Sequence, residues 1–446
     1  MNPSRIQQRF TDFYRALDFH LLPRSPLLHP SIPMSFVMSA GLVEIETSLA
    51  QLKNRPTNKF VLIQQCFRHF DLDKVGTDAF HLSLFEMPGA FVFGNIGKSE
   101  IVQRMWALAT SALGVDKSLI WVSYFKGGKV LEDYLPSDDE THKAWVDVGV
   151  PENQIIGLGP KDNYWVQGGG IDGMEPTRKC GPNTELFYDR GAERACGSNC
   201  CPGCRCGRFI EFANSLFICR ELGPNGSFLR LLADPFTETV IGTERVAMIL
   251  QGAESVFDID GYRPIIDIIH SFVHTSDLPE SSLLSGERVI ADYLKALYCL
   301  VADGAPPPGK DGRGRIIKLL IRGVMTRQIV LSIESTRFLQ TLMDLIPQTA
   351  CNGLHATPEN KTRLESYFAT ESQRFSKTIE RGHRQLMQFL KTNNGGTLSG
   401  TQIVWLEKNR GLPALLTAMM LREKGLAFAE TEYTQALETW KQRPLN

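Results

Sequence analysis

The stretch that most constrains the fold is residues 64–98, which read QQCFRHFDLDKVGTDAFHLSLFEMPGAFVFGNIGK. A first apolar run ends at Arg68, a polar loop follows, and a second apolar run closes on Phe85 and Glu86. This pattern predicts two antiparallel strands joined by a long loop. Paired strands of this kind would hold charged side chains rigidly above a pocket.

Arg68 and Phe85 are the side chains of this stretch whose chemistry suits ATP. The planar fork of an arginine can neutralise a phosphate oxygen, and an aromatic ring offers a face on which a nucleobase stacks. The alternative is a solvated arginine at the edge of a strand, where an exposed charge contributes little. These residues alone leave both interpretations open.

A longer series of short motifs resembles the alanyl-tRNA synthetases, which are class II aminoacyl-tRNA synthetases. Within 64–98, QQCFR, DLDKVG, FEMPG, FVFG and Lys98 follow the order of that family's motif 2. Further matches are SAGL (39–42), KDNYW (161–165), CGPNTELFYDRG (180–191), GRFIEFANSLF (207–217), GTERVAMILQG (242–252) and ERVIADYLKALYCLVADG (287–304). Because this collinear set spans nearly the whole chain, it is more specific than any single motif.

The resemblance implies an α+β fold, in which a class II antiparallel sheet flanked by helices is followed by an all-helical domain. The length of 446 residues allows two or three domains. We expect a catalytic domain at 1–255 with a Cys-rich insertion at 196–206, and a helical domain at 256–446. The family's motif 1 corresponds to residues 21–42, which break at several prolines and are predicted to end in an apolar strand.

The resemblance also implies the site residues and a two-step reaction. An amino acid carboxylate would attack the α-phosphate of ATP, and an acceptor hydroxyl would then take the aminoacyl group. Arg68 and Arg245, with Mg²⁺, would spread the charge of the transition state, and Phe85 would hold adenine. The implied ATP-binding set is Arg68, Asp71, Phe85, Glu86, Gly242 and Arg245, and the implied amino acid-binding set is Trp165, Asn214, Leu216, Glu238, Val240 and Gly242.

Two of these assignments have a structural alternative. Arg245 stands at a predicted helix start, where an arginine can simply form a salt bridge, and an isolated tryptophan such as Trp165 is most often part of a core.

The amino acid pocket departs from the family pattern at residues 238–245. The family's D-T-G-x-G-L-E-R becomes ETVIGTER, so Glu238 keeps a carboxylate for an ammonium group while Val240 replaces a glycine. Leu216 also stands where valine is usual. We therefore expect a small amino acid as substrate, with alanine as the first candidate and glycine or serine as the next. Such a pocket discriminates between neighbouring small amino acids by about 1–3 kcal/mol per methylene. The family's editing domain would lie beyond this sequence, so we expect no editing in cis.

Five cysteines between 196 and 206 predict a structural zinc site. Thiolates clustered with Gly and Pro turns in a reducing compartment are typical zinc ligands. Four of them, Cys196, Cys200, Cys204 and Cys206, would close a tetrahedral shell, with Cys201 as the alternative to its neighbour Cys200. The competing interpretations are reduced surface thiols and a cluster that remains from ancestry.

Three other features invite a ligand interpretation, and we interpret each as structural. The doublet Asp138–Asp139 precedes a predicted helix, where acids complement the N-terminal dipole. His270 and His274 share a helix face without a further ligand, and the glycines of 168–176 lack the strand and helix that a phosphate-binding loop needs.

The expected partners are a small amino acid and tRNA. The C-terminal helices resemble the family's acceptor-stem domain, but Leu319 and Gly323 replace arginines there, and Lys408 replaces the aspartate that reads the identity base pair. We therefore expect altered tRNA recognition. Arg363, Arg374, Lys377, Arg381, Arg384 and Lys391 make one helix basic, which alone is typical of a solvated face. The net charge of −1 gives no global basic field.

The start of the chain lacks the layout of a secretory signal, and no apolar run approaches the roughly 18 residues of a membrane helix. We expect a cytoplasmic protein that does not bind membranes, and the sequence leaves the oligomeric state open. The predicted function is ATP-dependent activation of a small amino acid and its transfer to tRNA. The alternatives are a paralogue that loads a carrier protein or small molecule, and a non-catalytic regulator that binds RNA or an amino acid.

Overall fold

The structure is a computed structural model that describes residues 1–29, 38, 40–42, 45, 57–168, 177–274, 278–335, 337–349, 357–393 and 396–442. The apolar strand predicted at the end of 21–42 and the glycine loop predicted at 168–176 lie mostly outside these residues. The chain forms two compact units. The first comprises residues 1–33, 37–68 and 78–263, and the second comprises 34–36, 69–77 and 264–446.

A mixed sheet of nine strands, as far as the described residues show it, forms the first unit. Its strands are β1 (His20–Leu21), β2 (Lys59–Phe67), β3 (Leu84–Phe93), β4 (Ile120–Phe125), β7 (Ile155–Leu158), β8 (Tyr164–Val166), β9 (Arg178–Asp189), β10 (Phe209–Leu222) and β11 (Leu229–Ile241). The order is β1-β2-β3-β11-β10-β9-β4-β7, with β8 on β9. Only the outer pairs β1–β2 and β4–β7 are parallel. Strands β5 (Gly128–Val130) and β6 (Asp133–Leu135) form a separate hairpin.

The predicted strand pair is β2 and β3, which run antiparallel from the Lys59–Val92 pair to the Phe67–Leu84 pair. Most residues of both strands are buried. One face carries a buried apolar cluster made of Leu42, Ile45, Phe60, Leu62, Phe91, Phe93, Leu216, Ile218 and Phe236, with Trp165 packed against it. The predicted α+β class with a largely antiparallel sheet is confirmed.

The helices of the first unit are α1 (Pro3–Arg15), α2 (Lys98–Ala107), α3 (Asp139–Asp147), α4 (Pro160–Asn163) and α5 (Thr243–Gln251). Helix α1 begins with an Asn2 cap and buries Ile6, Phe10 and Tyr14, one residue per turn along one face. Before α3, Asp138 caps the helix by accepting a hydrogen bond from the Thr141 N–H, and its carboxylate pairs with Lys98 at 2.7 Å. The structural interpretation of Asp138 is confirmed.

The second unit is helical throughout. Its helices are α6 (Arg263–Ser271), α7 (Glu280–Ala302), α8 (Gly312–Val330), α9 (Arg337–Thr349), α10 (Pro358–Thr392), α11 (Gly400–Trp405), α12 (Ala414–Arg422) and α13 (Glu430–Lys441). Helix α8 ends at Val330, and Ser332 has a φ of 55°, a left-handed conformation that interrupts the helix.

His270 on α6 bonds to the buried carboxylate of Glu287 on α7 through its Nδ1, at 2.7 Å. The pairing supports the structural interpretation of His270. The predicted helix face shared by His270 and His274 is wrong, because α6 ends at Ser271 and His274 lies beyond it. In the part of the chain that the structure describes, no helix is both long and apolar enough to cross a membrane.

Replacing Phe91 tests how strongly the apolar face of the sheet supports the first unit. Phe91 is 0% exposed, so Phe91→Ala should leave a cavity and lower the free energy of unfolding by about 3–5 kcal/mol. The matched control is Phe70→Ala, because Phe70 is 61% exposed and should change stability little. Urea denaturation followed by circular dichroism gives both values. Equal midpoints for the two variants would contradict the prediction.

Candidate functional site

Two cross-strand rows on one face of the sheet bring the predicted amino acid-binding residues together. In the first row, Val240 of β11 lies opposite Asn214 of β10, and Asn214 lies opposite Glu185 of β9. Because side chains alternate along a strand, residues two positions away share the same face. The second row therefore lies beside the first.

The second row contains Glu238 of β11, Leu216 of β10 and Asn183 of β9. On the other side of β11, Phe91 of β3 lies opposite Glu238, and Gly89 lies opposite Val240. Four residues that the resemblance implied thus form two neighbouring cross-strand pairs. Asn183 and Glu185 complete the rows and are absent from the sequence-based set.

The polar end of the rows is centred on the Glu185 carboxylate. The side-chain amides of Asn183 and Asn214 donate to its Oε1 at 3.2 and 3.3 Å. Burial, together with the nearby carboxylates of Glu211 and Asp162, raises the pKa of Glu185 well above its ordinary value. Carboxylate oxygens gathered in this way are the donors that a hard cation such as Mg²⁺ prefers.

The apolar end of the rows surrounds a buried acid. Glu238 is only 3% exposed, and Leu216 beside it belongs to the same apolar cluster that Trp165 packs against. A carboxylate in such surroundings is costly unless it is paired. Glu238 is thus a buried carboxylate that stands next to an apolar wall.

Arg68 and Phe85 meet on the same face of the sheet. The Arg68 guanidinium carbon lies 4.9 Å from the centroid of the Phe85 ring, and Phe85 pairs across the strands with Cys66. The backbone N–H of Arg68 donates to the Ser83 carbonyl at 2.8 Å, which fixes the start of the loop. An arginine and an aromatic ring held face to face suit a phosphate and a base of one ligand.

Glu86 and Asp71 have protein partners of their own. The Glu86 carboxylate accepts a hydrogen bond from the Gln7 amide of α1, and its backbone N–H donates to Glu244 at 3.2 Å. Asp71 is counted with the second unit, where it is buried and pairs with Lys74 at 2.7 Å. The ATP-binding role of each residue stays a prediction.

The start of helix α5 positions Arg245. The Gly242 N–H donates to the Phe212 carbonyl at 3.1 Å and ties the helix start to β10. Arg245 donates to the Glu211 carbonyl at 2.9 Å, and its Nη1 lies 3.3 Å from the Glu211 carboxylate. The salt bridge that was the structural alternative for Arg245 is therefore present, and it places the guanidinium at the polar end of the rows.

The Cys-rich segment gathers its thiols. The sulfur atoms of Cys196, Cys200 and Cys204 lie within 4.8 Å of one another, and those of Cys200 and Cys206 are 3.5 Å apart. Among the described residues this is the only such group of three or more metal-ligating side chains. Four thiol ligands with no carboxylate among them match the donor set of a structural zinc site, in which the protein fills all four coordination positions.

Ion pairs hold both ends of this segment to the sheet and to α5. Arg208 donates two hydrogen bonds, of 2.7 and 2.6 Å, to the Asp189 carboxylate, and this pair joins the two ends of the β9–β10 connection. Arg190 and Arg194 both pair with Glu254, just after α5. The segment is thus anchored independently of any metal.

In the second unit, Gly323, Leu319 and Lys408, which the sequence analysis singled out, have different surroundings. A Cβ added to Gly323 would lie 2.5 Å from the Tyr293 ring, so no larger side chain fits there. Leu319 is 45% exposed on the same helix α8. Lys408 is exposed in a π-helical turn, Leu406–Arg410, beside Glu407 at 3.3 Å.

Comparison with known proteins gives a consistent result. The family model described as "tRNA synthetases class II (A)" matches residues 5–444. The alanine–tRNA ligase of Alkaliphilus metalliredigens is 29% identical over 448 residues, covering 99% of this chain and 48% of that protein. That of Idiomarina loihiensis is 30% identical over 448 residues, covering 99% and 49%. The chain spans about half the length of the curated relatives it matches.

Proposed function

The chain belongs to the class II (A) tRNA synthetases, and on that premise we propose that it activates a small amino acid with ATP and transfers it to tRNA. Alanine is the first candidate substrate. The observation that carries the proposal is the pair of cross-strand rows, with buried Glu238 at one end and Glu185 at the other. Arg68 and Phe85 stand on the same face of the sheet.

The amino acid would bind at the apolar end of the rows. Its ammonium group pairs with the Glu238 carboxylate, and its side chain lies against Trp165 and Leu216. Val240 adds bulk beside Asn214, which limits the substrate side chain to a small one. Selectivity among alanine, glycine and serine then rests on about 1–3 kcal/mol per methylene.

ATP would bind with adenine stacked on Phe85 and its phosphates reaching Arg68 and Arg245. A carboxylate oxygen of the amino acid attacks the α-phosphorus, the bond to the leaving pyrophosphate breaks, and an aminoacyl adenylate forms. The two arginines spread the negative charge that develops at the phosphorus. A terminal hydroxyl of tRNA then attacks the carbonyl carbon, and AMP leaves. The side chains position the substrates and neutralise their charge, and none acts as a nucleophile.

Two metals fit the residues present. Glu185 and Glu211, with Asp162 nearby, would hold Mg²⁺, because they supply oxygen donors where negative charge is already crowded. Mg²⁺, when bound, neutralises charge on the triphosphate. Cys196, Cys200, Cys204 and Cys206 would hold a structural zinc ion that stiffens the connection between β9 and β10.

The acceptor is the least constrained part of the proposal. Lys408 stands where the family reads an identity base pair with an aspartate, and Gly323 has no room for an arginine beside Tyr293. These two positions favour altered tRNA recognition, and they also motivate the second candidate, transfer to a carrier protein or small molecule.

The activation step is tested by amino acid-dependent exchange of pyrophosphate into ATP, with alanine, glycine and serine as substrates. Wild-type protein should catalyse exchange with at least one of them, and Arg68→Ala should lower it about 100-fold or more, because one transition-state donor is lost. The control is Arg230→Ala, an exposed arginine paired with Glu221. Unchanged turnover in Arg68→Ala would refute this site.

Exchange without charging of any tRNA would eliminate the tRNA-ligase proposal and leave the carrier or small-molecule acceptor. If the wild-type protein catalyses no exchange with any amino acid in a panel, the result would instead favour the non-catalytic regulator that binds RNA or an amino acid.

The cation site is tested by Glu185→Gln, which keeps the shape of the side chain and removes its charge. The Mg²⁺ concentration that gives half-maximal exchange should rise about tenfold or more. Glu221→Gln on the neighbouring strand β10 is the control, because Glu221 pairs with Arg230 away from the rows. An identical Mg²⁺ requirement in wild type and Glu185→Gln would remove Glu185 from the cation site.

The zinc site is tested by alkylation with iodoacetamide, followed by mass spectrometry. One equivalent of zinc should protect Cys196, Cys200, Cys204 and Cys206 of the chelator-treated protein. Cys66 should stay unmodified with or without zinc, because it is buried and burial raises its pKa to about 12. Cys219, outside the cluster, reports any general change in accessibility. Equal labelling of the four thiols with and without zinc would contradict the site.

A further inference from the structure

A cavity of about 240 Å³ lies within the first unit, at the C-terminal end of helix α5. Residues at the start of β4, the end of β9, the start of β10 and the end of α5 enclose it. Its floor is apolar and is formed by Leu119, Ile210 and Met248, of which the last two are buried. We call it the back cavity.

The back cavity lies on the opposite face of the sheet from the cross-strand rows. Tyr188, which lines the cavity, is three positions after Glu185 on β9, and side chains alternate along a strand. Ile210 lies opposite Tyr188 on β10 and lines the same cavity. A ligand bound there would not occupy the site of the proposed reaction.

Two arginines at the rim of the back cavity share one carboxylate. Arg190 and Arg194 both donate to Oε2 of Glu254, Arg194 at 2.7 Å. The Arg190 side chain is only 10% exposed, whereas that of Glu254 is 69% exposed. Asp189 also lines the cavity, but Arg208 already neutralises it. Two guanidinium groups therefore share a single carboxylate, which leaves one positive charge at the rim.

The rim has room for a further negative charge. Of the Arg194 nitrogens, only Nη2 makes a hydrogen bond with a side chain that the structure describes, and Nε lies 4.0 Å from the exposed Glu193. Burial and the neighbouring Arg194 lower the pKa of Arg190, so the two guanidinium groups repel each other. An ion pair made by a carboxylate as exposed as Glu254 contributes little, and a ligand anion can take its place.

The apolar floor and the cationic rim together define the class of ligand. The guanidinium fork matches carboxylates and phosphates, but a single uncompensated charge suits a monoanion better than a doubly charged phosphate. The floor favours a ligand with an apolar body. Ligand pockets usually measure about 300–1,000 Å³, so a cavity of about 240 Å³ suits a small molecule.

We propose that the back cavity is a second ligand site, which binds a small monocarboxylic acid. The apolar body of the acid lies against Leu119 and Met248, and its carboxylate takes the place of Glu254 on Arg190 and Arg194. This site is separate from the one proposed for the amino acid and ATP, and the proposal does not depend on that reaction.

The probe for the back cavity is benzoate, and benzamide, which has a similar shape without the charge, is its matched comparison. Saturation-transfer NMR titrations of the whole chain give both affinities. Wild type should bind benzoate at least about tenfold more tightly than benzamide, because hydrogen bonds to a charged group are stronger. Equimolar phosphate should not displace benzoate. Equal affinity for the two probes, displacement by phosphate, or no binding of benzoate would overturn the proposal.

Two rim variants should change the affinity for benzoate in opposite directions. Arg194→Gln should weaken binding about tenfold or more, because a charged donor is lost. Glu254→Gln should strengthen it about threefold, because the competing carboxylate is removed. A variant that merely loosened the cavity would only lose affinity. Arg230→Gln and Glu221→Gln alter an exposed pair elsewhere on the sheet and should bind as wild type does.

Unchanged binding in Arg194→Gln, or weaker binding in Glu254→Gln, would contradict the proposed rim contacts. Circular dichroism melting curves show that each variant is folded.

Competition with ATP and alanine locates the bound benzoate. Since the back cavity and the cross-strand rows lie on opposite faces of the sheet, saturating ATP and alanine should leave the affinity for benzoate within about twofold of its value without them. Displacement of benzoate by either compound would place the probe in the site proposed for the reaction and would overturn the back cavity as its site.

Discussion

The register between strands β3, β11, β10 and β9 is the constraint on which the first unit and its site both depend. A slip of one residue would turn Glu238, Asn214 and Glu185 to the opposite face. That face has a different environment, in which Ser215 and Thr239 share a buried hydrogen bond of 2.7 Å. Burial of the apolar cluster around Phe91 therefore stabilises the sheet, and it also fixes which side chains line the site. Stability and substrate geometry cannot be separated in this sheet.

The site separates charge along one face. Glu185, Glu211 and Asp162 crowd the polar end, and the crowding is strong enough to raise the pKa of Glu185. Arg245 lies at the same end against Glu211, while Arg68 stands on the neighbouring strand pair above Phe85. Acids and arginines held this close together are costly to desolvate in a protein alone. They are well suited to a ligand that brings both polyphosphate charge and a divalent cation.

Local patterns in the sequence predicted the strand pair, and the resemblance named four of the residues that lie in the cross-strand rows. Two apolar runs identified β2 and β3, which the structure shows paired antiparallel. Glu185 lies within the matched stretch CGPNTELFYDRG (180–191), but it was missed because nothing in that stretch distinguishes it as a site residue. It meets Glu211 only through the register of β9 on β10, which no local pattern contains. The left-handed Ser332 likewise depends on packing rather than on residue type.

Net charge is a poor guide to what this chain can bind, and α10 shows why. A value of −1 for the whole chain excludes a global basic field but says nothing about one helix face. Six basic residues on one helix can be scattered around it or can lie together on one side. Their positions relative to the buried side of the helix decide between these cases, and the packing of Phe375 and Leu386 shows where that buried side is.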